Sequence, residues 1–207
     1  MKGKLIVFEG PEGSGKTTHA KHLYDLMKNM RKNGVLLREP GGTEISEQIR
    51  SIILSVKNRK LSAKAELLLY EAARCQIMEE KIIPALEKGV SVILDRFCLS
   101  TMAYQGYGRG LEKDVIRKLN SFASAGIKPD ITVVYDVSYG EAQGRMKKRG
   151  AKDRMELEKR PFHEAVRRGY LREAAKIEHC LVIQTDGLGE QQVFELTLEA
   201  LHKRKIF

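Results

Sequence analysis

The chain has 207 residues, 42% of them hydrophobic, enough to bury most of its apolar surface in one core without disulfide or metal staples. Its three cysteines, Cys75, Cys98 and Cys180, are widely spaced and form no CxxC pair, which argues against a disulfide framework or a zinc site and for a reducing compartment, the cytoplasm. No run of about 18 apolar residues occurs, so no membrane partner is expected. The formal charge of +10 is concentrated between Arg145 and Arg172, where eleven Lys/Arg stand against four Asp/Glu. Only Phe162 and Tyr170 interleave with those cations as aromatics, so nucleic acid is not expected as a partner either.

In chain order, an apolar run at 4 to 8 predicts a buried strand, and "GPEGSGKT" follows it at residues 10 to 17. This matches G-x-x-x-x-G-K-[ST] with Gly10, Gly15, Lys16 and Thr17 in the required places, between a predicted strand and a predicted helix over 16 to 31. In such a loop backbone N–H groups and the helix N-terminus converge on a polyphosphate, the lysine reaches the β and γ oxygens, and the threonine hydroxyl ligates magnesium. A second strand at 35 to 37 leads into "REPGGT" (38 to 43), followed by predicted helices over 44 to 56 and 63 to 87. The third run, at 90 to 94, ends on Asp95, positioned to orient the magnesium ion, and opens the stretch "DRFCLSTMAYQGYGRG". A helix over 111 to 125, a strand at 131 to 135, helices over 139 to 150 and 155 to 178, a strand at 181 to 183 and a helix over 190 to 203 complete the pattern. Continuous apolar runs alternating with helices predict an α/β fold with a five-stranded parallel sheet flanked by helices. Residues 1 to 207 are expected to form one domain, with a hinge at 150 to 153.

The stretches "FEGPEGSGKTT", "REPGGT", "LLLYEAARCQ", "EKIIPALEKGVSVILDRF", "LSTMAYQG", "KPDITVVYDV" and "KKRGAKDRME" occur in this order from residue 8 to about 172. In them the chain resembles the thymidylate kinases, phosphate-loop NTPases that transfer the γ-phosphate of ATP to dTMP. The resemblance implies a small helical lid at about 145 to 160, Mg2+ as cofactor, ATP and dTMP as partners, and a homodimer formed through helices packed side by side. Leu67, Leu68 and Ile77 offer apolar faces for that interface.

The resemblance assigns the loop residues Gly10, Pro11, Glu12, Gly13, Ser14, Gly15, Lys16, Thr17 and Thr18, together with Arg145, to ATP, and Thr17 with Asp95 to the metal. Arg50 and Arg96 correspond to the family's acceptor-phosphate arginines. Charge-assisted, often bidentate arginine contacts are a natural way to hold a dianion. Tyr70 and Arg74, four residues apart on a predicted helix, share a face and match the positions that stack on thymine and bond its O4. Ser100, Thr101, Tyr104 and Gln105 match positions around the base and deoxyribose, and Glu12 matches a carboxylate that accepts from the sugar hydroxyl. Gly13 stands where one branch of the family carries arginine; the other branch supplies arginines from the lid, here Arg149 and Arg154, which with Lys16 and Arg96 make up the expected catalytic set. Tyr70 replaces the commoner phenylalanine and Met102 the glutamine frequent in bacterial relatives, substitutions that bear on how strictly thymine is told from uracil. Two other readings of the residues remain: a deoxynucleoside kinase with Glu39 as base, and a nucleotide-gated binding module.

Overall fold

The computed structural model describes residues 3–147, 153–204 and 206. Five strands, β1 (Leu5–Glu9), β2 (Gly34–Arg38), β3 (Ser91–Asp95), β4 (Ile131–Asp136) and β5 (Cys180–Gln184), form one parallel sheet in the order β2-β3-β1-β4-β5. Each lies within a residue or so of the apolar run that predicts it. Successive side chains of a strand point to opposite faces, so Ile6 and Phe8 of β1 enter one apolar layer with Ile93 and Tyr135, while Leu5 and Val7 enter the other with Val92 and Leu94. A strand covered on both faces cannot alternate apolar with polar residues, which is why its sequence reads as a continuous run.

Helices α1 (Lys16–Asn29) and α9 (Glu190–Lys203) pack on the first face, contributing Leu23, Met27, Val193 and Leu201. On the second lie α3 (Ala63–Ile77) and α4 (Ile83–Glu87), joined by a wider π-helical turn at Met78–Ile82. The single helix expected over 63 to 87 is thus continuous in path but loosened in the middle, where Pro84 withholds the N–H that a regular ladder needs. Thr43 and Ser62 start α2 (Glu44–Leu54) and α3 by accepting from the N–H groups of Ser46 and Ala65.

Two departures from the expected elements bear on function. The segment after β3, to which the sequence pattern assigns no element, is helical, as α5 (Cys98–Thr101) continuing into a π-helical stretch at Met102–Gly108. And α8 (Arg160–Ala174) starts at residue 160 instead of 155, because Pro161 fits the first turn of a helix but disfavours helical backbone before it. Asp153 shapes the preceding turn by accepting from the N–H groups of Met155 and Glu156. Helices α6 (Lys113–Ala123) and α7 (Tyr139–Lys147) complete the framework. Leu67 and Ile77 are core residues, 4% and 0% exposed, so of the three apolar positions expected at a dimer face only Leu68, at 56%, is presented outward. No helix among the described residues is long and apolar enough to cross a membrane.

Candidate active site

The loop from Gly10 to Gly15 joins the end of β1, the middle strand, to α1, with positive φ at Gly10, Gly13 and Gly15 curling its backbone. A Cβ at Gly13 would lie 2.8 Å from the Ala142 carbonyl oxygen, which bars the arginine that one branch of the family places there. Lys16 is 6% exposed and turns back over the loop, its Nζ donating to the Pro11 carbonyl at 3.3 Å and lying 3.6 Å from Glu12 Oε2. The first turn of α1 carries no acidic residue and no side-chain cap of its own.

Thr17 Oγ1 donates to Asp95 Oδ2 at 2.5 Å, joining the start of α1 to the end of β3. The other oxygen, Asp95 Oδ1, is buried and has no hydrogen-bond partner among the described residues. A hydroxyl beside an under-used carboxylate is a hard-oxygen donor set that suits magnesium, which keeps several waters and takes its other oxygens from substrate phosphates. No cluster of three or more His, Cys, Asp or Glu with metal-binding spacing occurs among the described residues.

Arg96, directly after β3, holds φ at +74°, an uncommon conformation for a residue with a side chain. The turn aims its guanidinium across the mouth of the loop. Nη1 donates to the Gly10 carbonyl (3.2 Å), Ser100 Oγ (3.2 Å) and the Tyr170 hydroxyl (3.0 Å), and Nη2 to Glu12 Oε2 (2.8 Å) and the Tyr104 hydroxyl (3.2 Å). Glu12 also accepts from the Tyr104 hydroxyl at 3.0 Å. Burial alone would raise the Glu12 carboxyl, but Arg96, Lys16 and that hydroxyl outweigh it and hold the pKa down at about 2.

A cleft of about 270 Å³ opens beside this group. Glu12, Lys16, Thr17, Arg50, Tyr70, Arg74, Asp95, Arg96, Ser100, Thr101, Tyr104 and Gln105 all line it, so every acceptor-side residue expected from the sequence is brought to one place. Asp153, Met155 and Glu156 form a further wall. Arg50 is held at the rim by the Pro40 carbonyl, 2.9 Å from its Nη1. Arg74 is 2% exposed and saturated: Nε donates to Glu39, Nη1 to Glu71 and Asn120, and Nη2 to Thr101, with Glu39 Oε2 also 2.8 Å from Nη2. Burial pushes the Glu39 carboxyl up to about 7 although Arg74 opposes it, and Glu39 faces that guanidinium rather than standing as an unpaired base.

Arg145 lies across the loop from the cleft, reaching the Gly13 carbonyl (3.3 Å) and both oxygens of Thr185 (3.1 and 2.8 Å). It lines a second depression of about 280 Å³ with Ser14, Gly15, Thr18, His19, Leu188 and Val193. Pro11 faces a third depression, between α7 and α8. Arg149 lies outside the described residues. Arg154 does not face the loop: it is 8% exposed, with Nη2 2.6 Å from Glu66 Oε2 and Nε donating to the Ile53 carbonyl at 2.7 Å. Gln105 is tied to the same carboxylate at 2.8 Å. Glu9, Glu66, Glu71, Asn120 and Tyr170 were not singled out from the sequence as functional residues, and each lies within ordinary-looking helix or strand. A buried acidic residue in an apolar strand or helix, such as Glu9 closing "LIVFE", was the one available signal.

A thymidylate kinase family profile matches residues 8–195. The chain is 47% identical over 172 residues to a thymidylate kinase of Thermoanaerobacter sp. (strain X514), covering 83% of this chain and 84% of the relative. It is 44% identical over 188 residues to one of Desulforudis audaxviator (strain MP104C), covering 90% and 85%. A crystal structure of thymidylate kinase from Ehrlichia chaffeensis superimposes with a TM-score of 0.80 at 33% identity, over 98% of this chain and 100% of that one. The shared architecture is the phosphate-loop NTPase fold, and by profile, identity over most of its length and fold the chain belongs to the thymidylate kinase family.

Proposed function

We propose that the protein phosphorylates dTMP to dTDP with ATP by clamping both phosphates in one cationic cleft, as a single domain with a lid at about 145 to 160. The observation that carries this reading is the convergence of Lys16, Arg96 and Arg50 with Tyr70, Arg74 and Tyr104 around one cavity, at the carboxyl ends of β1, β2 and β3. ATP takes the loop, with its adenosine end toward Arg145, and dTMP takes the cleft. The acceptor oxygen of a phosphate monoester is already anionic near neutral pH, so no general base is needed and catalysis rests on alignment and charge neutralisation.

Arg96 exchanges part of its contact with Glu12 for the acceptor phosphate, and Glu12, released, accepts from the sugar hydroxyl. Lys16 bridges the donor phosphates. Thr17 and Asp95 would hold Mg2+, which when bound offsets phosphate charge. Arg149 and Arg154 serve the transferring phosphoryl as the lid closes, which for Arg154 means leaving Glu66. An arginine acting in this way contributes on the order of a thousandfold in rate. Tyr70 and the Tyr104 ring set the thymine and deoxyribose preference, with dUMP as a weaker acceptor. Three unpaired cysteines support a cytoplasmic setting, and the exposed Leu68, Val115 and Phe122 on α3 and α6 support a homodimer.

The test is ADP release from ATP and magnesium with dTMP, dUMP, dCMP, dGMP, UMP and thymidine as acceptors. Turnover fastest with dTMP, slower with dUMP and absent with thymidine is the expected pattern, and Arg96→Ala abolishes it while leaving ATP binding intact. Preference for thymidine, or unchanged turnover in Arg96→Ala, would overturn the acceptor assignment.

A further inference from the structure

Helix α8 crosses the π-helical stretch 102–108 at close range: a Cβ on Gly169 would lie 2.8 Å from the Tyr107 ring, and one on Gly108 would lie 2.6 Å from Phe162. This approach carries Tyr170, 1% exposed, to a point behind the cleft wall, against Arg96 and Ser100. Its hydroxyl lies 3.0 Å from Arg96 Nη1, 2.7 Å from Ser100 Oγ and 3.2 Å from Glu9 Oε2, and Ser100 Oγ lies 2.5 Å from Glu9 Oε2. The two ends set the overall direction, because a guanidinium only donates and a carboxylate accepts. Arg96 donates to Tyr170, and the Tyr170 and Ser100 hydroxyls, hydrogen-bonded to each other, both reach Glu9 Oε2 as donors. The same Glu9 carboxylate accepts from the N–H groups of Phe97 (2.8 Å) and Ser100 (3.0 Å), bracing the turn in which Arg96 holds its positive φ.

We propose that Tyr170 is a positioning residue for the acceptor phosphate, holding the Arg96 guanidinium from the side opposite Glu12 through the chain Arg96–Tyr170–Ser100–Glu9. The proposal rests on the reading of Arg96 as the acceptor clamp. It makes α8, the helix that follows the lid, part of the acceptor site, although Tyr170 itself does not line the cleft. Arg96 has partners on both flanks, Tyr104 and Glu12 at Nη2 and Tyr170 and Ser100 at Nη1. Loss of the Tyr170 hydroxyl leaves the arginine charged and still tied to Glu12, Tyr104, Gly10 and Ser100, but removes the shortest of its three Nη1 contacts and loosens that flank.

The experiment compares dTMP and thymidine binding by calorimetry, with steady-state kinetics, in the full-length parent, Tyr170→Phe, Arg96→Ala and the double variant. Tyr170→Phe is expected to weaken dTMP binding about tenfold, the scale of one hydrogen bond to a charged group. Thymidine binding and the KM for ATP should stay within about twofold, and the substitution should cost nothing further in the Arg96→Ala background, because its effect passes through that arginine. Should Tyr170→Phe fold poorly, Glu9→Gln alters the far end of the same chain without touching the cleft lining and is expected to show the same split between dTMP and thymidine. Equal weakening of both ligands, or dTMP binding within twofold of the parent, would overturn the proposal. Unchanged dTMP binding in Arg96→Ala alone would instead overturn the clamp reading beneath it.

Discussion

Glu66 is a fully buried carboxylate between two arginines, and replacing it by glutamine tests how the segment around Arg154 is fastened. Its carboxylate is 0% exposed and accepts from Gln105 (2.8 Å), from Arg109 twice (both 3.1 Å) and from Arg154 (2.6 Å). Burial would raise its pKa, but the two arginines and the amide outweigh that and keep it ionised. Glu66→Gln preserves shape and one acceptor oxygen, yet presents an amide donor to a guanidinium and removes the negative charge. Breaking a buried ion pair by removing one partner costs about 3–5 kcal/mol, and the retained oxygen places this case near 3. For a chain of this size that corresponds to a fall in melting temperature of roughly 6–12 °C. Glu158 is the control: it pairs with the same Arg109 at 2.6 Å, but its side chain is 28% exposed, so Glu158→Gln should cost under about 1 kcal/mol. Urea and thermal unfolding of the two variants near neutral pH decide the matter. A Glu66→Gln loss below about 1 kcal/mol, or one equal to that of Glu158→Gln, would refute the claim that this carboxylate fastens Arg154 and Arg109.

Three further outcomes are expected. His19 is 3% exposed, and burial, with His22 and Arg145 adding to it, lowers its pKa from 6.5 to about 4. The folded state therefore refuses a proton that the unfolded state accepts, so stability is full above about 6.5 and falls as pH drops toward about 4, by at most about 3 kcal/mol; urea midpoints across this window should slope less in His19→Gln. In Gly169→Ala the gain in helix propensity, about 1 kcal/mol, is outweighed by the contact with Tyr107 at 2.8 Å, giving a net loss of about 1–2 kcal/mol measurable by thermal unfolding. Tyr104→Phe removes a hydroxyl shared by Arg96 and Glu12 but keeps the ring, so kcat/KM for dTMP should fall about tenfold with the preference for dTMP over UMP retained, whereas Tyr104→Ala loses that preference too.

The sheet was legible because its strands are covered on both faces and so read as unbroken apolar runs, and the phosphate loop because its chemistry demands glycines and a lysine at fixed spacing. Residues that line the cleft were legible as motif words, "REPGGT" and "LSTMAYQG" among them. The supporting contacts were not, since nothing local relates Glu39 to Arg74, Glu66 to Arg154 or Glu9 to Tyr170, separated by 35, 88 and 161 positions. Arg154 shows the limit most plainly: a lid arginine by sequence order, it is held in the fold by a carboxylate that looks like an ordinary member of a helix. The helical stretch at 98 to 108 was not among the expected helices, Gly106 and Gly108 being poor helix formers, whereas wide turns accommodate them.

The placement of Asp95 and Arg96 turns covalent geometry into a ruler. Asp95 faces Thr17 at the start of α1 and Arg96 faces Glu12 in the loop, across a trans peptide whose α-carbons stand about 3.8 Å apart. The distance between these two backbone anchors is thereby set by bond lengths and one backbone turn, not by how the layers beneath the sheet happen to pack, while hydrogen bonds place the Arg96 guanidinium itself. Exchange of core side chains under β3 can soften or stiffen the protein while leaving that gauge unchanged, but an insertion or deletion between residues 95 and 96 would reset it outright.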